Sequence, residues 1–356
     1  MTYTTTAPSP PPADAPVADH GGSLARAAQL FPDAAQPWVD LSTGINPHSY
    51  PHAALPAAAF TALPEEGAVA ALCAVAAQAY GAQADHVVAA PGTQILLPRV
   101  AALVPPGTAR VLAPTYAEHR RAAALAGHDV AAVTEPARLA GARLAIVVNP
   151  NNPDGRVLPR GELLALAARL KAENGLLVVD EAFMDIGPRD ESVAGDVAAP
   201  EVAGALVVLR SFGKFFGLAG VRLGFALAAP ALAQTLRERL GPWAVSGPAL
   251  ALGATALADL TWQAEMRARL SADAARLDAL LAVHGAAPAG GTALFRLVRH
   301  ADSAGLFQAL GDAGLYVRRF TAEPLLADAL RIGLPPDAAA WDRLATALAR
   351  WSRRPS

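Results

Sequence analysis

The chain has 356 residues, a formal net charge of −2, 17% charged residues and 53% hydrophobic ones, a balance that excludes a disordered chain and provides core for about two domains. Near-neutral charge with no dense Lys/Arg cluster argues against nucleic acid as the main partner, and the longest apolar runs fall far short of the roughly 20 residues that span a bilayer. The single cysteine, Cys73, excludes an internal disulfide and a multi-cysteine zinc site, so a globular cytoplasmic protein without a metal centre is expected.

Residues 1–18 carry five prolines and no Lys or Arg, lack the pattern of a targeting signal, and read as a flexible tail. An N-terminal arm over 19–48 follows, holding His20-Gly21-Gly22 and Asp40-Leu41-Ser42-Thr43-Gly44-Ile45-Asn46-Pro47. Residues 49–235 alternate short apolar runs with alanine-rich stretches. Strands are predicted over 87–90, 109–113, 144–149, 176–180 and 205–211, with helices over 93–104, 117–126 and 160–173. Strands that are apolar throughout, each followed by a helix, imply a mostly parallel sheet covered on both faces. Beyond Gly224 the texture changes. A long helical tract over 247–283 precedes a βαβ-like tail with strands over 291–298, 315–319 and 329–334, so 236–356 is expected to form a smaller α/β domain against which the arm packs.

Four segments stand where a predicted strand hands over to a loop, the place where open α/β sheets gather ligands. Gly92-Thr93-Gln94 offers close backbone approach and the free N–H groups of a helix start, although such a tripeptide alone reads equally as a turn and cap. Asn149-Pro150-Asn151-Asn152-Pro153-Asp154-Gly155 is a rigid turn whose asparagines can point donors at an anionic oxygen. Asp180 ends an apolar strand, and a carboxylate there needs a cation or a set of donors; a helix cap or structural ion pair would also satisfy it. Lys214 lies among Phe212, Phe215, Phe216 and several glycines, surroundings that lower an ammonium pKa and make the amine a nucleophile.

The order of these segments resembles the fold-type-I pyridoxal-phosphate enzymes of the aminotransferase class I/II group over about residues 40–335. The resemblance implies pyridoxal 5'-phosphate as cofactor, with Lys214 condensing with its aldehyde and Asp180 keeping the pyridine nitrogen protonated. It implies further that Asn152 hydrogen-bonds the phenolic oxygen and that Tyr116 stacks on the ring. Gly92, Thr93, Gln94, Ser211 and Arg222 would hold the phosphate.

Within that group the arm resembles the cobalamin-pathway threonine-phosphate decarboxylases, and the pair Arg318 and Arg331 resembles that of histidinol-phosphate aminotransferases. Phe183 and Leu63 stand where the aminotransferases commonly carry tyrosines. The decarboxylase resemblance implies conversion of L-threonine O-3-phosphate, a small phosphorylated amino acid, to (R)-1-amino-2-propanol O-2-phosphate. Its substrate would be held by His20, Gly21, Asn46, Asn152, Arg318 and Arg331; Arg318 or its neighbour Arg319 would take the phosphate, and of the two Arg319 reads rather as an ordinary surface charge. A homodimer is implied, as is handover of product to a cobinamide synthase; transamination of histidinol phosphate is the alternative activity.

Overall fold

The computed structural model describes residues 20–353; the tail expected over 1–18 lies outside them. The arm contributes β1 (Val39–Leu41). Seven strands follow: β2 (Val87–Ala90), β3 (Thr108–Leu112), β4 (Asp129–Val133), β5 (Leu144–Val148), β6 (Leu176–Asp180), β7 (Leu206–Ser211) and β8 (Gly224–Ala228). They form one sheet in the order β2-β8-β7-β6-β5-β3-β4, in which only β8 runs against its neighbours.

Every residue of β5, β6 and β7 is buried. Successive side chains alternate between two separate cores: Val147, Val179 and Val208 enter one, and Ile146, Val178 and Val207 the other. A strand flanked by apolar layers on both sides gains nothing from a polar face, which is why its sequence reads as a continuous hydrophobic run. β4 departs from that rule because it is an edge strand with mostly exposed residues, and its Asp129-Val130-Ala131-Ala132-Val133 sequence gave no strand signal.

The second sheet has the order β1-β11-β12-β10-β9, built from β9 (Pro288–Thr292), β10 (Phe295–Arg299), β11 (Leu315–Arg319) and β12 (Ala329–Gly333). β1 joins it through parallel pairing with β11, Val39 facing Leu315. Two expectations are corrected. The strand predicted over 291–298 is a hairpin that turns at Ala293-Leu294, where the Leu294 N–H donates to Thr292 Oγ1 at 3.2 Å. The tract over 247–283 is two helices, Gly247–Ala258 and Leu260–Val283, separated at Asp259, whose carboxylate accepts from Trp262 N–H and caps the second.

The ends of β6 and β7 are tied by a buried ionic strut. Arg210 donates to Glu181 at 2.8 Å and to Asp185, and its guanidinium lies 4.3 Å from the Tyr80 ring centroid. Glu181 also accepts from Ser192 Oγ at 2.6 Å and Val193 N–H at 2.8 Å. Asp180 and Ser211 are the chain neighbours of this pair, so the strut sets their separation across the sheet. Arg210→Met leaves two buried carboxylates without their cation and is expected to cost about 3–5 kcal/mol in urea unfolding; a loss below 1 kcal/mol would refute the strut.

Candidate active site

One cavity of about 320 Å³ lies between the two sheets, beyond the carboxyl ends of β5, β6 and β7. Its wall includes Gly92, Thr93, Gln94, Tyr116, Asn152, Asp180, Ser211, Lys214 and Arg222 from the large sheet and its loops, His20 and Gly21 from the arm, and Arg318 and Arg331 from β11 and β12. Residues far apart in sequence therefore meet because their strands end on one edge.

Lys214 sits in the four-residue helix Phe212–Phe215 that begins directly after β7. Its amine lies 5.8 Å from the centroid of the buried Phe183 ring, which is itself braced edge-on by Phe295. Loss of hydration, with the positive charges of Arg331 and Arg222, outweighs Asp180 and draws the Lys214 pKa down to about 8. An uncharged, nucleophilic amine is thus accessible near neutral pH.

Asp180 is 5% exposed at the last position of β6. Its Oδ1 accepts from Ala182 N–H at 3.1 Å, and its Oδ2 lies 2.8 Å from His119 Nε2. His119 was not anticipated. The requirement that a carboxylate at this strand end have a partner was legible; that the partner would come from the helix Glu118–Leu125, three residues after Tyr116, was not. The same helix supplies the buried Glu118, which accepts from Gln94 Nε2 at 2.8 Å and lies 3.2 Å from His20 Nε2. Arg120 of that helix meets Glu323 at 3.1 Å, so the cavity wall is closed by an ion pair between helix and loop.

The phosphate-type corner is built by close packing. Gly92 has φ +84°, a conformation that favours glycine, and a Cβ there would lie 2.6 Å from Arg222 NH2 and push the guanidinium aside. Thr93–Ile95 forms the first helical turn beyond it, and Arg222 donates to Ala219 O at 3.1 Å. The Gln94 side chain is otherwise engaged: besides its bond to Glu118 it accepts from Tyr116 OH at 3.1 Å. Burial above all, then Glu118 and Asp180, raises the Tyr116 pKa to about 12, so it keeps its proton.

Arg331 is 8% exposed and donates to Asn152 Oδ1 at 2.6 Å and Ser42 O at 2.5 Å, while its Nε has no partner. It faces Arg318 in register across β11 and β12. Desolvation first and Arg318 second lower the Arg331 pKa to about 10. Two guanidinium groups that face each other at one cavity wall are suited to grip an anion together. Arg319, the next residue, turns away and stacks 5.7 Å from the Phe307 ring centroid.

Asn46 requires a correction. It is 1% exposed and absent from the cavity wall; its Nδ2 donates to Phe215 O at 2.8 Å and its Oδ1 accepts from His48 N–H at 2.8 Å. A buried amide whose two ends are both bonded to backbone, outside the cavity wall, is placed to hold the chain rather than a ligand. Leu63 is 66% exposed and does not line the cavity in this chain. Among the described residues no group of His, Cys, Asp and Glu is arranged to hold a metal, and no helix is long and apolar enough to cross a membrane.

Residues 37–348 match the family model for aminotransferase class I and II. The chain is 44% identical to a threonine-phosphate decarboxylase of Pseudomonas aeruginosa over 93% of its own length and 97% of that protein. A histidinol-phosphate aminotransferase of Shewanella amazonensis is 36% identical over 54% of each chain. Among solved structures, the histidinol-phosphate aminotransferase of Sinorhizobium meliloti in complex with pyridoxal-5'-phosphate superposes with a TM-score of 0.76 at 24% identity, over 88% of this chain and 90% of that one. The chain belongs to the class I and II aminotransferase family and has its fold.

The buried amine makes a pH-dependent demand on stability. With a folded pKa near 8 against an ordinary 10.5, protonated Lys214 destabilises the cofactor-free fold fully below about pH 8, and the penalty disappears as pH rises to about 10.5. Lys214→Met is therefore expected to raise the unfolding temperature at pH 7 and to lose that gain by pH 10.5. A gain constant across this range would contradict the burial of the charge.

Proposed function

We propose that this chain is a pyridoxal-phosphate-dependent carboxy-lyase that converts L-threonine O-3-phosphate to (R)-1-amino-2-propanol O-2-phosphate, the reaction of cobalamin biosynthesis. What carries the proposal is a single cavity that joins a depressed-pKa lysine, a buried carboxylate and a facing pair of arginines, together with identity to a threonine-phosphate decarboxylase along nearly the whole chain. The residues fit the cofactor. Lys214 offers the amine for its aldehyde, Asp180 backed by His119 the counter-charge for its ring nitrogen, and Gly92, Thr93, Ser211 and Arg222 the cradle for its phosphate.

When bound, the cofactor supplies an aldehyde that captures the substrate amine and a protonated ring that withdraws electrons from Cα. The protein's part is orientation. The bond that breaks is selected by how the substrate is held, so a decarboxylase would have to grip and orient the carboxylate. Arg331, fixed by Asn152 and Ser42 with Nε still free, is placed to take a carboxylate oxygen. Arg318 then serves the substrate phosphate, with His20 and Gly21 of the arm closing over it. Carbon dioxide leaves with its oxygens, and the bonding electron pair stays on the substrate side. A proton returns to Cα, for which Lys214 Nζ, poised near pH 8, is the available carrier. Tyr116, neutral at working pH, holds the ring face, while Phe183 supplies an apolar wall where a tyrosine would supply a hydroxyl.

The active assembly is a homodimer in this reading. Phe60, Leu63 and Trp243 are 60–68% exposed, and the short helix Ala58–Thr61 bearing Phe60 packs on the helix that follows Trp243. Exposed large apolar side chains on and beside these two packed helices are what a second copy would cover. Light scattering should give twice the chain mass, and Trp243→Glu should move it toward one chain mass; an unchanged monomer in both would exclude the dimer.

Incubating the holoprotein with L-threonine O-3-phosphate should release CO2 and the amino alcohol phosphate in equal amounts, and Lys214→Ala should abolish both. Absence of CO2, with glutamate instead formed from histidinol phosphate and 2-oxoglutarate, would overturn the assignment in favour of transamination.

A further inference from the structure

We propose that Asn46 is a positioning residue for Lys214, fixing the backbone from which the amine projects. The helix carrying Lys214 is one turn long and leaves its last carbonyls short of local donors, Lys214 O receiving the Gly217 N–H at 3.4 Å. Residues 46–50, where the arm runs into the large sheet's segment, supply donors to them. Asn46 N–H donates to Lys214 O at 3.0 Å, Asn46 Nδ2 to Phe215 O at 2.8 Å, Tyr50 N–H to Phe216 O at 2.8 Å and Ser49 Oγ to Gly217 O at 2.9 Å. Four consecutive carbonyls, beginning with that of the lysine, thus accept from one five-residue segment.

The fit leaves no slack. Gly217 has φ +65°, and a Cβ on it would lie 2.6 Å from Asn46 O and 2.8 Å from Ser49 Cα. Asn46 is shaped by its own loop, since its Oδ1 accepts from His48 N–H at 2.8 Å. The segment is anchored at its far side as well: His48 Nε2 lies 2.9 Å from Asp273, and Tyr50 OH donates to Asp259 at 3.1 Å. Asp259 caps the helix Leu260–Val283 and Asp273 lies within it, so the lysine backbone is referenced through Asn46 to the longest helix of the structure. Removing the Asn46 amide leaves the carbonyl of the residue next to Lys214 without this donor, and a displacement of about 1 Å at a reacting group is enough to cost about 100-fold in rate.

Two variants test this. Asn46→Ala removes the amide, and Asn46→Asp keeps its shape and its bond from His48 while losing the donor to Phe215; the second carries the test should the first not fold. Amide hydrogen exchange of the full chain without cofactor should rise about tenfold or more over residues 212–217 and stay unchanged in the helix Arg160–Ala172. In the holoprotein, the pH midpoint of the absorbance band reporting the Lys214–cofactor bond should shift. With threonine phosphate, kcat should fall about 10- to 100-fold with KM changed less than about twofold. Unchanged exchange and midpoint would overturn the proposal, as would a raised KM at full kcat, which marks a ligand contact. The exchange measurement needs neither cofactor nor substrate, so this inference can fail while the decarboxylase reading stands, and the reverse.

Discussion

The structure is organised around an amine deprived of water. Phe183 walls Lys214 on one side, the guanidinium groups of Arg331 and Arg222 oppose its charge, and the one carboxylate that favours that charge is engaged with His119. An ammonium in water is a poor nucleophile; the same group stripped of hydration and repelled by neighbouring cations gives up its proton near neutrality. That chemistry is destabilising to the fold, and a rigid frame must hold the group there.

The frame is supplied by strands buried on both faces. β5, β6 and β7 send alternate side chains into two cores, so none can slip by a residue without turning a whole hydrophobic face into the wrong layer. Their ends are consequently fixed, and the Glu181–Arg210–Asp185 cluster adds an ionic tie at the level of the cavity. Each site residue inherits its position from this edge. The arm completes the enclosure from the other sheet, to which it is joined through β1 and β11.

The parts of this design that depend on a single strand were legible in the sequence. β2 and β6 match their predicted limits of 87–90 and 176–180 because a doubly buried strand must be apolar at every position. The motifs at their ends were legible for the same reason, since polar residues abruptly follow an apolar run. What depended on the direction of a side chain was not. Nothing local distinguishes Arg318, facing the cavity, from Arg319, stacked on Phe307; only strand alternation within the observed sheet does so. Asn46 lies within a segment that borders the cavity, yet its amide points into the backbone behind Lys214. His119 is hidden because its partner lies on another element, and pairing across a fold leaves no trace in spacing.

Arg318 and Arg331 stand opposite each other on neighbouring strands, so two cationic side chains enter the cavity from one patch of sheet. Their spacing is set by strand register, so an anion bound there is measured by the sheet itself and not by a loop.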